Sequence, residues 1–391
     1  MARYNFDEVV DRRHSDCLKY GVLQDRWGRT DLLPLWVADM DFRTPDFILD
    51  AIRQRLDHGI LGYTASDSRW KPAIMGWLKE HHNFEVALHE ITFIPGIVRG
   101  IAFVLQAFTE PGDKVLVFDP VYHPFFLVPQ HSGRQLVRHK LVQADGQYVI
   151  DFPQLDKDLD NVKVLVLSNP HNPGGRVWTA DELQQIASLA EKHRTLVISD
   201  EIHADLTWEP YRHIPYATVS DEARRHSITF GSPSKAFNTP GIVSSYSIVP
   251  NGTIRRKLNA YLASGEFDEG NMFAQLVTAE AYLHGEEWLK EAKQYIAGNI
   301  GYVEQFFSNN LPQIRPMRPQ ASFLVFLDCS GLGLNHEHLL DLFIDKAHLA
   351  LDDGEKFGPS GQHFMRLNVA TPRSVLQQAL QQLKDAIDHY L

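Results

Sequence analysis

Cysteine is almost missing from this chain: two residues, Cys17 and Cys329, in 391. They lie far apart and form neither a metal-ligand spacing nor a disulfide framework, which favours a reducing compartment and a cytoplasmic location. Positive charge is also short. There are 38 Lys and Arg against 49 Asp and Glu, a net charge of −11, and no basic run or aromatic–basic stripe offsets it. Nucleic acid is therefore not an expected partner. No hydrophobic run approaches membrane-spanning length, and the opening "MARYNFDEVVDRRHSD" has no apolar signal core, so no membrane association is expected either. Internal repeats, low-complexity blocks and Gly/Ser-rich linkers are absent too.

What remains is an ordinary globular composition, 44% hydrophobic and 22% charged. At this length two subdomains are expected. "TPDFILDAIRQRLDHG" reads as an amphipathic helix with Thr44 as N-cap and Pro45 in the first turn. Beyond it the apolar runs "ITFI", "KVLVFDP", "KVLVLSNP", "TLVISDE" and "SITFGS" alternate with helical patterns such as "TADELQQIASLAEKHR". Runs that are apolar throughout predict strands buried on both faces, hence a mostly parallel sheet between helices and an α/β fold. Each run ends in polar or turn residues. In an open α/β sheet, ligands bind in the crevice outside those carboxyl ends. From about residue 286 the pattern changes: helices through 310 and over 335–349 enclose "SFLVFLDC", and "HFMRLNVA" precedes a final helix. This predicts a large domain over 45–285 and a smaller α+β domain built from 1–44 with 286–391.

The strand tips carry the chemistry. "ITFGSPSKAFNTPG" places Lys235 between small hydroxyl residues just after a strand. A surface lysine is the commoner identity; the alternative is a nucleophile held in a pocket, its neighbours gripping an anion. Asp200 closes the apolar run of "VISDEIHADL", where a desolvated carboxylate needs a partner. A helix N-terminus, a salt bridge or the protonated nitrogen of a bound pyridine ring would each serve. His203, three residues on, either faces the same ligand or packs in the core. Asn172 sits in the Pro-bracketed turn of "VLSNPHNPGG", a common place for a purely structural asparagine. In "IPGIVRGIAFVLQAF" a glycine opens an apolar helix whose first amides, at Val98 and Arg99, suit a phosphate. Tyr122 in "FDPVYHPFF" can stack on a flat ring or fill a core. Singly these alternatives stay open. Together, at successive strand ends, they favour one cofactor site.

This order of residues resembles the pyridoxal-phosphate enzymes of the aspartate-aminotransferase fold (fold type I), over essentially the whole chain. More closely it resembles the MalY/PatB branch of cystathionine β-lyases. The resemblance rests on "LPLWVADMDFRTP", "GYT", "DPVYHPF", "NPHNPGG", "SDEIHADL", "SPSKAFN", "HGEEWL" and "RLNVATPRS". It implies pyridoxal 5'-phosphate attached to Lys235, with Asp200 on the ring nitrogen, Asn172 on the ring oxygen and Tyr122 stacked on the ring. Ser232 and the amides near Val98 and Arg99 would take the phosphate. Tyr63 would reach in from a partner subunit, which implies a homodimer with shared sites. Arg366 would clamp the substrate carboxylate with a bidentate fork, and Trp36 and Asp39 would line the entrance.

Two positions depart from the common aminotransferase pattern. His203 stands where many carry a ring-contacting tyrosine, and Val243 where many carry a phosphate-binding arginine. The implied activity is C–S β-lysis of cystathionine or another small sulfur-containing amino acid to a thiol, pyruvate and ammonia. An amino-acid aminotransferase would use the same lysine and is the first alternative. A cofactor-binding regulatory protein acting through a protein partner is the second.

Overall fold

The computed structural model describes residues 3–390. The five apolar runs become five strands of a seven-stranded sheet: β1 (Ile91–Ile94), β2 (Lys114–Asp119), β3 (Gln135–Lys140), β4 (Val162–Ser168), β5 (Leu196–Asp200), β6 (Ser227–Gly231) and β7 (Ser245–Ile248). Their spatial order is β1-β7-β6-β5-β4-β2-β3. Neighbours pair in parallel except at β7, which runs antiparallel to both β1 and β6.

Burial on two faces explains the continuous apolar runs. In β2, Val115 and Val117 join one core while Leu116 and Phe118 join another. Val164 and Val166 in β4 divide in the same way from Leu165 and Leu167. Successive side chains of a strand point to opposite faces, so a strand covered on both sides has no solvent-facing set.

The helices that matter here are α1 (Asp46–Asp57), α2 (Ile97–Phe108), α3 (Ala180–His193), α4 (Glu286–Asn310) and α5 (Arg373–Tyr390). Helix α2 covers one sheet face with Ile97, Ile101, Val104 and Leu105. It lies close, because a Cβ on Gly100 would meet the Phe230 ring at 2.8 Å. Helix α3 covers the other face, its start fixed by a Thr179–Glu182 capping box. Helix α1 begins one residue later than expected, with Pro45 as N-cap. Thr44 is therefore not the cap. Its hydroxyl instead donates to the carbonyl of Asn238 at 3.3 Å.

A second, antiparallel sheet follows: β8 (Arg315–Met317), β9 (Leu324–Asp328), β10 (Asp352–Asp353) and β11 (Phe364–Asn368), ordered β8-β9-β11-β10. It shares a core with α4 and α5 through Val325, Leu367, Ile300, Val303 and Leu380. The helix expected over 335–349 is shorter. It runs as His336–Asp341 and a wide turn Leu342–Lys346, because Leu349–Ala350 is drawn into a parallel pairing with Leu33–Pro34. The Asn368 amide ties the same N-terminal segment down, donating to the carbonyls of Val37 and Asp39 at 2.6 Å each. Among the described residues no helix is long and apolar enough to cross a membrane.

Candidate active site

Because β2, β4, β5 and β6 are parallel, their carboxyl ends open on one edge. An inner cavity of about 180 Å³ lies there, lined among others by Val98, Tyr122, Asn172, Asp200, His203, Ser234, Lys235 and Val243. Ala38, Tyr122 and Lys235 also border an outer chamber of about 930 Å³, which Trp36, Asp39, His123, Asp352, Lys356 and Arg366 line.

Burial sets the chemistry of the inner cavity. It pushes the Asp200 carboxyl up to about 7, only partly opposed by the Ile202 N–H, which donates to Oδ1 at 3.1 Å, and by the Lys235 charge. Burial also lowers the Lys235 amine to about 8, with Arg366 acting in the same direction and Asp39 and Asp200 against it. The Lys235 Nζ donates to the carbonyl of Ala38 at 2.5 Å. His203 is pushed down to about 3 by burial and by the Lys235 and Arg366 charges, so its ring is neutral. Its Nδ1 is buried without a partner among the described residues. Tyr122 is raised by burial and stays a phenol.

The start of α2 supplies a patch of positive potential. Gly96, at φ +97°, turns the chain into the helix, and the first intrahelical bond reaches only Gly100. The amides of Ile97, Val98 and Arg99 have no carbonyl partner among the described residues. The Arg99 side chain folds back to the Pro95 carbonyl at 2.9 Å and stays out of the cavity. Val243 stands opposite, at φ +56°, and contributes methyl groups and no charge. Ser232 lies outside the lining. Its hydroxyl donates to the Ser244 carbonyl at 2.6 Å and accepts the Ser234 N–H at 3.1 Å, and of these two neighbours of Lys235 it is Ser234 that borders the cavity.

Arg366, fully buried on β11, aims its fork at the boundary of the two chambers. It donates to the Asn172 Oδ1 at 3.1 Å and the Trp36 carbonyl at 3.1 Å, and it pairs with Asp352. Its Nε is buried and has no partner among the described residues. Asp39 borders the chamber, but its carboxylate is held by Arg12 at 2.6 Å and Lys19 at 3.2 Å. Burial works against that charge, yet the two cations outweigh it and hold the carboxyl below its usual value. The Trp36 indole donates to the Lys19 carbonyl at 3.1 Å. Tyr63 is fully exposed and touches neither chamber.

Residues 30–383 match the sequence model of aminotransferase class I and II. The chain belongs to that family. Within it, this member is 40% identical over 385 residues to cystathionine beta-lyase PatB of Bacillus subtilis (strain 168), covering 98% of this chain and 100% of the relative. It is 33% identical to Protein MalY of Escherichia coli (strain K12), over 98% and 99% of the two chains. Among solved structures, cystalysin from Treponema denticola, described as containing a pyridoxal 5'-phosphate cofactor, superposes with a TM-score of 0.96 at 31% identity. That match covers 99% of this chain and 100% of the other.

Ser234, Asp352, Arg26 and Lys356 line these two chambers without being among the residues the sequence singles out. Asp352 left one signal, a carboxylate directly after the apolar Leu349–Leu351. Arg26 and Lys356 left none, since each looks like an ordinary surface cation.

Proposed function

We propose that this protein is a pyridoxal 5'-phosphate-dependent C–S β-lyase that cleaves cystathionine or related S-substituted L-cysteines to a thiol, pyruvate and ammonia. The observation that carries this is a partly buried Lys235 amine, held at about 8, in one small cavity with a buried Asp200 held at about 7. The residues present fit the cofactor. Among the described residues no cation is bonded to the Asp200 carboxylate, which suits a protonated ring nitrogen. The amides at Ile97, Val98 and Arg99, with Ser234, suit a phosphate whose charge Val243 cannot meet. The unpartnered His203 Nδ1 and the Asn172 amide border the place of the ring, and Tyr122 offers it a flat face.

When bound at Lys235, the cofactor supplies an electron sink for charge developing at the substrate Cα. Arg366 orients the substrate by its carboxylate, using the fork and the unpartnered Nε. The freed Lys235 amine takes the Cα proton, and a pKa near neutrality leaves a useful neutral fraction for that task. The resulting ammonium then returns a proton to the departing sulfur. Asp200 holds a proton at the ring nitrogen throughout.

The finer assignments belong to the same proposal. The protein acts in the cytoplasm, consistent with two unpaired cysteines. The lysine-bearing sheet belongs to a domain over 45–285, and 1–44 with 286–391 form the smaller one, a division supported by the Leu33–Leu349 pairing. The chain is a homodimer, because Tyr63 stands exposed beside exposed Ile60 and Leu61. Sedimentation at twice the chain mass is expected; a fully active monomer would sink this assignment.

The activity is tested on cofactor-loaded protein given L-cystathionine with no keto acid. Equimolar pyruvate and thiol over many turnovers is the expected result. Amino transfer that appears only after a keto acid is added would replace this reading with the aminotransferase.

A further inference from the structure

The outer chamber holds positive charge that the cleavage chemistry does not use. Its carboxylates are Asp39, Asp41 and Asp352. The first two are matched by Arg12 and Lys19, each of which bridges both. Asp352 alone faces three cations. One of its oxygens pairs with Arg366, the other with the Lys356 Nζ at 2.8 Å. Arg26 is left at 3.7 Å, and its side chain, 35% exposed, donates no hydrogen bond to any described residue. His123 adds no charge, since burial and the neighbouring cations push its imidazole down to about 4.

Arg26 is nonetheless fixed in place. Its guanidinium lies 4.4 Å from the centre of the Trp36 ring and 4.9 Å from that of Trp27, and the two indoles meet edge to face at 5.4 Å. The Lys356 Nζ sits 5.5 Å from the same Trp36 ring. A planar fork of donors held by aromatic faces, its own donors unmatched, is preorganised for an oxygen anion. In a protein of net charge −11, a cleft of opposite sign also concentrates acidic ligands.

We propose that Arg26, with Lys356 beside it, is a distal anion subsite that selects substrates whose leaving thiol carries a carboxylate. This rests on the lyase reading above: Arg366 takes the α-carboxylate, and Arg26 takes a second one beyond the sulfur. Asp39, committed to Arg12 and Lys19, has no part in the discrimination.

A matched substrate pair tests it on the holoenzyme. S-(2-Carboxyethyl)-L-cysteine and S-propyl-L-cysteine share the scissile bond and differ in a terminal carboxylate against a methyl group. Wild type should favour the acid in kcat/KM, and Arg26→Gln should lower the acid-to-propyl ratio on the order of tenfold, mainly through KM. Arg26→Lys should recover most of it, because a cation returns. An unchanged ratio overturns the proposal. So does an equal loss on both substrates, which would make Arg26 a positioning residue acting through Asp352. Should wild type release pyruvate from neither compound, the lyase reading fails by itself. Calorimetric affinities of the two amino acids then decide the subsite by the same shift in ratio between wild type and Arg26→Gln.

Discussion

A Lys235→Met variant releases pyruvate from L-cystathionine at a rate lowered about 10⁴-fold or more, while remaining folded. The size of the loss follows from what else borders the inner cavity. His203, at about 3, is too weak a base to take a Cα proton. Tyr122 is raised by burial and stays protonated at neutral pH. Asp200 already accepts the Ile202 N–H and, with the cofactor bound, would be committed to the ring nitrogen. None of these three groups can stand in, so residual activity above about 1% would point to a base outside the described lining of this cavity.

Stability gives the same variant a second readout. Lys235 has a folded pKa of about 8 against about 10.4 for an unfolded lysine. Between these values the unfolded chain binds more protons than the folded one, so stability rises with pH there. Below pH 8 the partly buried ammonium costs the cofactor-free protein on the order of 3 kcal/mol. Methionine keeps the length of the side chain and cannot ionise. The advantage of Lys235→Met in urea unfolding should be greatest near pH 7 and shrink steadily between pH 8 and 10.5. A constant difference across that window would contradict the burial of this amine.

Asp200→Asn is the second large effect, with kcat expected to fall by on the order of 10²–10³-fold. The amide fills the same space and keeps a carbonyl for the Ile202 N–H, but cannot hold a positive ring nitrogen. The loss should therefore fall on kcat, with little change in KM. A matching rise in KM would place Asp200 in substrate binding instead. In the cofactor-free protein the sign is opposite to that of the lysine. Asp200 has a folded pKa of about 7 against a usual 3.8, so the folded state holds the extra proton and stability falls as pH rises between about 4 and 7. Subtracting the asparagine curve isolates a loss on the order of 4 kcal/mol across that window.

Much of the sheet was legible because burial on both faces writes itself as an unbroken apolar run. The two strands that were not read lack that mark. β3, "QLVRHK", is an edge strand with polar positions, and β7, "SYSI", is short and carries serines that are buried. The strand-tip residues were legible because a charged or amide side chain directly after an apolar run is costly without a purpose. Thr44 misled, because a Thr-Pro pair looks like a helix start and only the fold shows its hydroxyl bound to Asn238. Spacing from Lys235 does not say which of two serines borders the cavity; the fold puts Ser234 there and ties Ser232 to the Ser244 carbonyl. Arg26 and Lys356 were invisible, since their partner Asp352 is far from Arg26 along the chain and their shared platform, Trp36, lies between.

The pairing of Leu33–Pro34 with Leu349–Ala350, and of Asn368 with Val37 and Asp39, bears on how this protein is born. A ribosome delivers the whole lysine-bearing sheet long before residue 349 emerges, and that sheet can begin to pack as soon as it is free. The wall of the pocket contributed by residues 36–39 waits for residues 349–368. A translation product stalled near residue 330 would hold Lys235, Asp200 and the start of α2 in an unclosed cleft, with Arg366 still unmade. Catalytic competence therefore waits until residues 349–368 have been made and have folded back onto the N-terminal segment.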